Sequence, residues 1–325
     1  IYLEDEANIE SHEYYYGEAS ISHPVEWKKA HVARVMEMAH ATVNNACVVI
    51  WSLGNEAGPG NNFVEAYKAL KAFDATRPVQ YERNNDIVDM GSNQYPSIGW
   101  TQGAVTGKYG IKYPFHISEY AHSMGNAVGN LIDYWEAIES TNFFCGGAIW
   151  DWVDQSMYNY EKDGTRYLAY GGNFGDTPND GQFVMNGIIF GDREPKPQGS
   201  EVKKVYQYVG VKMLDVEKGR IEVFNKNYYT ALNDYEIVWS LWKDGKCIQQ
   251  NQPVQGPRMA LPARQKATYR LPYDFAALDA NGEYFVKVQF LLGKDMPWAE
   301  QGYPQFEEQL AVKAAGEKPA INTVA

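Results

Sequence analysis

Cysteine is scarce and odd in number: Cys47, Cys145 and Cys247 are the only three in 325 residues. Thiols so scattered exclude a disulfide frame, and two of them lie in apolar runs, where they read as reduced core residues. Long apolar runs are also missing, so nothing in the sequence is expected to span a bilayer. Positive charge is in deficit. Lys and Arg total 29 against 41 Asp and Glu, giving a formal charge of −12 and a pI near 5.0. That balance argues against nucleic-acid backbones and anionic membranes as partners. An initiator Met is absent too, and the chain opens at Ile1 inside a strand-like segment. It is therefore read as a fragment whose missing start would hide any signal peptide, which leaves cytoplasm and periplasm both open.

What is present suits about two domains with a sizeable core. Aromatic content is high at 14%, with 24 Tyr and 9 Trp, residues that serve either as core or as the lining of a pocket for a flat apolar ring face. The stretch that organises the rest is Asn45 to Gly58. Cys47 to Trp51 is an unbroken apolar run rich in β-branched residues, read as a strand buried on both faces. It ends by delivering Asn55 and Glu56 to its C-terminal tip, where parallel barrels do their chemistry. The competing reading makes Asn55 a cap for the helix that begins near Asn61.

The same grammar recurs along the first two hundred residues. Ile1 to Leu3 runs into Glu4, Asp5, Glu6, Glu10 and His12, a strand whose end is crowded with acids. Helical spacing follows from Pro24 to Ala41 and again from Phe63 to Ala75, and the second helix is closed by Arg77-Pro78. Short strands are expected at Pro78–Glu82, Met90–Pro96, Pro114–Tyr120 and Gly146–Trp152. A helix is expected within Gly125–Glu139, and an irregular Gly- and Asp-rich stretch from Asp163 to Phe190. Six strand tips with functional groups, alternating with helices, predict a parallel α/β barrel. A closed (β/α)8 barrel needs eight strands, so two are expected before Ile1.

Near Tyr208 the pattern changes. Ile221–Phe224, Tyr235–Leu241, Ala267–Leu271 and Glu283–Phe290 alternate apolar and polar residues between turn signals such as Lys243-Asp244-Gly245. This predicts an immunoglobulin-like antiparallel β-sandwich. The expected divisions are thus a partial TIM barrel over residues 1–208, a sandwich over 209–313 and a linker over 314–325.

Glu56 and Glu119, at two different strand tips, are carboxylates that could work as a pair. If the tips converge, one can serve as acid and base while the other attacks carbon, as retaining glycoside hydrolysis requires. A lone Glu after a strand says little. The longer motifs say more. Trp51-Ser52-Leu53-Gly54-Asn55-Glu56 and Ser118-Glu119-Tyr120-Ala121-His122-Ser123-Met124-Gly125-Asn126 resemble the two active-site signatures of the β-galactosidases of glycoside hydrolase family 2. The likeness extends through Asp5–Glu10, Trp150–Gln155 and Gly175–Asp180, and covers roughly residues 1–200 strongly.

The resemblance implies a retaining hydrolase of terminal β-galactosyl residues that works by double displacement. It assigns acid/base duty to Glu56 and nucleophilic attack to Glu119, with Tyr95 donating to the nucleophile. Asn55 is implied to bond the sugar 2-hydroxyl, His122 to contact substrate hydroxyls, and Trp150 to form the floor under galactose. On their own, Tyr95 would read as a turn or packing residue, His122 as a helix cap, and Trp150 as core. The resemblance also implies Mg²⁺, or Mn²⁺, on Glu10, His12 and Glu56, a set whose hard oxygens and single imidazole suit either ion. It further implies Na⁺ near the sugar 6-hydroxyl, on the Phe183 carbonyl and Asn186, with an aspartate ligand outside this chain. Members of the family are often homo-oligomers, which the resemblance extends to the full-length protein.

Two departures stand against the family pattern. Asn44-Asn45-Ala46-Cys47 replaces the usual Asn-His-Pro-Ser before the acid/base strand, and the family's first two barrel strands and N-terminal jelly roll are not in the sequence. The resemblance therefore implies that this polypeptide alone lacks part of its substrate site. The alternatives are a family 2 β-glucuronidase or β-mannosidase, or a non-catalytic carbohydrate-binding module that kept the aromatic floor.

Overall fold

The computed structural model describes residues 1–12, 16–254, 260–314 and 316. The chain divides into two compact units, Ile1–Val205 and Tyr206–Ala325. The expected linker over 314–325 lies almost wholly outside the described residues.

In the first unit six short strands run parallel in two sheets. Strands β1 (Leu3–Glu6), β2 (Val48–Ser52) and β3 (Val79–Gln80) pair in that order. So do β4 (Gly91–Gln94), β5 (Phe115–Tyr120) and β6 (Phe144–Ile149). The Asp89 and Met90 N–H groups donate to the Val79 carbonyl at 3.0 and 3.3 Å, which carries the chain from the first sheet to the second. Parallel pairing forces each connection to cross back over the sheet. The crossovers use helices α1 (Lys28–Thr42), α2 (Asn61–Phe73), α3 (Ile98–Val105) and α4 (Leu131–Glu139), and α5 (Pro197–Val205) ends the unit. The result is an open, partial TIM barrel. Among the described residues its wall does not close.

Helical periodicity explains how α1 and α2 cover the first sheet. His31, Val35 and Ala39 of α1 and Phe63, Ala66 and Leu70 of α2 are buried at three- and four-residue spacing. Val35, Ala39, Phe63, Ala66 and Leu70 pack with Val48, Trp51, Leu53, Val79 and Tyr81 in one core cluster, where each large apolar side chain contributes about 1.5–3 kcal/mol. Helix α2 stops because Asp74 turns extended, at φ −133° and ψ 100°. Its buried carboxylate accepts from Trp51 Nε1 at 3.0 Å, Thr76 N at 2.8 Å and Arg77 Nη1 at 2.6 Å. Burial alone would raise that carboxyl, but these donors outweigh it and hold it well below the usual carboxylate range.

The inner face of the wall is polar. Gln80 Nε2 donates to Glu4 Oε1 at 2.7 Å and to Ser52 Oγ at 2.8 Å, Ser52 Oγ donates to Glu6 Oε2 at 2.7 Å, and His116 Nε2 lies 3.6 Å from Glu4 Oε2. Burial pushes Glu4 up to about 7 against the Gln80 donor, and it pushes His116 down to about 4.

The second unit is a sandwich of two antiparallel sheets. One has the order β13 (Lys266–Arg270), β10 (Arg220–Asn225), β9 (Val209–Asp215). The other runs β12 (Lys246–Pro253), β11 (Tyr235–Lys243), β14 (Tyr284–Leu292), β15 (Pro304–Lys313). Strand β14 buries Tyr284, Val286, Val288, Phe290 and Leu292 in strict alternation, as a strand with one face on a core must.

Several expectations need correction. Cys47 and Cys145 are exposed rather than core residues: Cys47 precedes β2 in a turn, and Cys145 takes the opposite face of β6 from the buried Phe144. Strand β2 is not buried throughout, since Val49 and Ile50 are only half-buried. The Gly- and Asp-rich stretch is less irregular than its composition suggests, because its start carries β8 (Arg166–Ala169), which pairs in a hairpin with β7 (Met157–Tyr160) just before it. Asn55 caps no helix, because Gly60 is the N-cap of α2. His122 caps none either, since Asn130 precedes α4.

Candidate active site

Glu56 and its neighbours are set by a close approach between β1 and β2. Beyond the paired strands, the Asn55 N–H donates to the Ile9 carbonyl at 2.8 Å, and Glu10 bridges to Asn55. Gly54, at φ +147°, makes this possible: a Cβ there would sit 2.6 Å from the Ile9 oxygen. The chain then turns sharply, and Glu56 takes φ +47°. Non-glycine residues avoid this left-handed region. His12 at +45°, Tyr95 at +47° and Ala121 at +50° adopt it as well. All four lie past strand ends at the same mouth of the barrel, a concentration of backbone strain typical of functional sites.

Glu119, on β5, meets Tyr95 at the end of β4. The Tyr95 N–H donates to the Glu119 carbonyl at 2.7 Å, and its hydroxyl donates to Glu119 Oε2 at 2.8 Å. Burial raises the Glu119 carboxyl above its ordinary value; the Tyr95 and Gln94 donors pull it back, while the charges of Glu56 and Glu10 add to the rise. Burial and the Glu119 charge push the Tyr95 phenol above its usual range, so it remains a proton donor.

Three residues that the sequence reading passed over brace the two carboxylates: Arg83 and Gln94 run between them, and Glu82 holds the Glu56 backbone. Arg83 Nη2 lies 3.4 Å from Glu56 Oε1 and donates to Gln94 Oε1 at 3.2 Å. Gln94 Nε2 donates to Asn55 Oδ1 at 3.0 Å, and Gln94 also donates to Glu119. Asn55 Nδ2 in turn donates to Glu10 Oε1 at 3.1 Å. Glu82, its side chain 3% exposed, accepts the Glu56 backbone N–H at 2.8 Å. Burial pushes Glu82 up to about 7, against the pull of that N–H. The available signal was position: Glu82 and Arg83 lie just past β3, beyond Tyr81, and Gln94 ends β4.

Glu10, His12 and Glu56 offer ligand atoms that all lie within 4.8 Å of one another. His12 Nε2 is 2.8 Å from Glu10 Oε1, and His12 Nδ1 is 3.1 Å from Glu56 Oε2. Two carboxylates and an imidazole so close together form a donor set suited to a hard divalent cation. An open cavity of about 870 Å³ runs past this cluster, lined also by Ser11, Tyr16, Asp180 and Phe183.

The remaining candidates are less tightly gathered. The His122 ring lies 6.1 Å from those of both Tyr95 and Phe183. Burial lowers its imidazole against the opposing effect of Asp151. Asn186 Nδ2 donates to the Phe183 carbonyl at 2.5 Å, and the buried Asn186 Oδ1 has no hydrogen-bond partner among the described residues. Trp150 ends the strand segment beyond β6 and is fixed by its own backbone: its N–H donates to the Tyr120 carbonyl at 3.2 Å, and its carbonyl accepts from Ser123 N at 2.7 Å. Its ring has no described contact with the two carboxylates.

Comparison with known proteins agrees with the layout. The family model described as "Glycosyl hydrolases family 2, TIM barrel domain" matches residues 1–211, and the one described as "Beta-galactosidase, domain 4" matches 221–313. A β-galactosidase of Priestia megaterium is 37% identical over 331 residues, 99% of this chain and 32% of that protein. One from Photobacterium profundum is 34% identical over 327 residues, covering 96% and 31% respectively. The chain thus spans about a third of the length of the curated relatives it matches. The apo structure of Bacteroides uniformis β-glucuronidase 3 aligns with a TM-score of 0.44 at 11% identity, over 97% of this chain and 42% of that one, too slight a likeness to support a reading. With a family model spanning its whole barrel unit and relatives aligned along nearly its entire length, the chain belongs to glycosyl hydrolases family 2.

Proposed function

We propose that the protein carrying this chain is a retaining β-galactosidase, with Glu119 as nucleophile and Glu56 as acid/base. The observation that supports this most is the linkage of the two carboxylates from different strands through Arg83 and Gln94. In the first step, Glu119 bonds to the anomeric carbon while Glu56 hands its proton to the departing oxygen. In the second, Glu56 takes a proton from water as the water oxygen bonds to the anomeric carbon, which breaks the bond to Glu119 and frees the sugar. The Tyr95 hydroxyl holds Glu119 in place. The Asn55 amide, held by Glu10 and Gln94, would bond the sugar 2-hydroxyl. His122 would meet substrate hydroxyls, and Trp150 would lie under the ring.

Glu10, His12 and Glu56 would hold Mg²⁺, or Mn²⁺. The bound cation would supply a charge favouring the ionised form of Glu56. The Phe183 carbonyl and Asn186, with its unpartnered Oδ1, would hold part of a Na⁺ site. Galactose is favoured over glucuronic acid or mannose by the names of the relatives that share the chain's full span. The test assays the enzyme carrying this chain on nitrophenyl β-galactoside, β-glucuronide and β-mannoside, with Glu119→Gln beside it. Turnover of the galactoside alone, abolished by the substitution, is expected. Activity that survives it rules out Glu119 as nucleophile.

A further inference from the structure

Glu56 occupies a backbone conformation that its side chain disfavours, and something must hold it there. Its φ of +47° lies between two flexible positions, Gly54 at φ +147° and Gly58 at φ +88°. Asn55 N–H is anchored on the Ile9 carbonyl. The Glu56 N–H has a different anchor, Glu82 Oε1 at 2.8 Å, reached across the sheet from the tip of β3. Glu82 is buried and so is no candidate to touch a sugar. Arg83 closes the cluster, with Nε 3.5 Å from Glu82 Oε1 and Nη2 3.4 Å from Glu56 Oε1.

We infer that Glu82 is a positioning residue for the acid/base: its carboxyl oxygen pins the Glu56 amide and so fixes where the Glu56 side chain leaves the backbone. The inference rests on the acid/base reading of Glu56. A misplaced acid still binds sugar and leaves the nucleophile intact, but it protonates the departing oxygen poorly. Displacements of about 1 Å at a reacting group cost on the order of 10²-fold. The loss must therefore depend on how much protonation the leaving group needs.

The experiment compares kcat/KM of the enzyme carrying this chain for methyl β-galactoside, whose alkoxide must be protonated, and 2,4-dinitrophenyl β-galactoside, whose phenolate departs unaided. For Glu82→Ala, kcat/KM is expected to fall at least ~20-fold on the methyl galactoside and less than ~3-fold on the dinitrophenyl compound. Glu82→Gln keeps an acceptor oxygen and should restore both to near the parent values. Glu82→Asp, with its oxygen withdrawn by one methylene, should fall between, and it replaces the Ala variant if that protein is insoluble. The readout is a ratio of two substrates in one preparation, so the folded fraction cancels. Equal losses on both substrates, or no loss on either, overturn the role of Glu82. Glu56→Gln is the separating control. If it shows no leaving-group dependence, the acid/base reading itself fails; if it does and Glu82→Ala does not, only the present inference falls.

Discussion

The Tyr95 hydroxyl donates to Glu119 Oε2 at 2.8 Å while the Tyr95 amide donates to the Glu119 carbonyl at 2.7 Å. One residue thus grips both the side chain and the backbone of the proposed nucleophile. Tyr95→Phe removes only the first grip. A preorganised donor of this kind is worth about 10²–10³-fold in kcat. Because the lost bond lowers the Glu119 carboxyl, the carboxyl moves further up, and the low-pH limb of kcat/KM shifts to higher pH. A pH–rate profile of the variant checks both effects. A limb that stays put or moves down contradicts the role given to Tyr95.

Glu4 gives the barrel wall a pH dependence of its own. Its carboxyl, raised to about 7 by burial, stands above its unfolded value of about 4.3. The folded state therefore holds the proton more tightly. The resulting stability is complete below the unfolded value and is lost as pH rises through about 7. Glu4→Gln keeps an acceptor for Gln80 and removes the cost of ionisation. It should stabilise the chain by about 1–3 kcal/mol at pH 8 and hardly at all at pH 4. Urea denaturation at the two pH values decides it, and an equal gain at both would contradict the account.

Asp74 works in the opposite sense. Its carboxyl is depressed by Trp51, Thr76 and Arg77, so its stabilisation is present above about 3.9 and lost as pH falls through the lower folded value. Asp74→Ala leaves the half-buried Arg77 and the buried Trp51 indole without their carboxylate. The expected cost is about 3–5 kcal/mol at pH 7, read from the shift in denaturation midpoint, and it should narrow in strong acid.

For the cation site, a chelator should depress the activity of the enzyme carrying this chain, and added Mg²⁺ should restore it. His12→Ala should raise the Mg²⁺ concentration needed for half-restoration about 10-fold or more. Activity indifferent to chelator would remove Glu10 and His12 from the proposed site.

The legible part of the molecule was the part written in repeated patterns. Helices α1 and α2 showed as apolar residues at helical spacing, and the tips bearing Glu56 and Glu119 showed as apolar runs breaking into acids. The sandwich strand β14 showed as alternation. Strands β12 and β15 were not singled out, because each is an edge strand with one neighbour and at most two buried residues, which leaves their sequences polar. The hairpin of β7 and β8 was hidden by the glycines and aspartates that turn the chain after it. At the site, Glu82, Arg83 and Gln94 escaped notice for another reason. Each acts through side-chain contacts with residues from other strand tips, and a single polar side chain after a strand has no periodicity to betray it.

The four left-handed turns at the barrel mouth bear on how such an enzyme could be made hardier. At His12, Glu56 and Tyr95 the bend exists to display a side chain, so relaxing it with glycine deletes the group on show. Ala121 displays only a methyl. Durability can be sought there without bargaining against turnover, whereas at the other three the two are tied together.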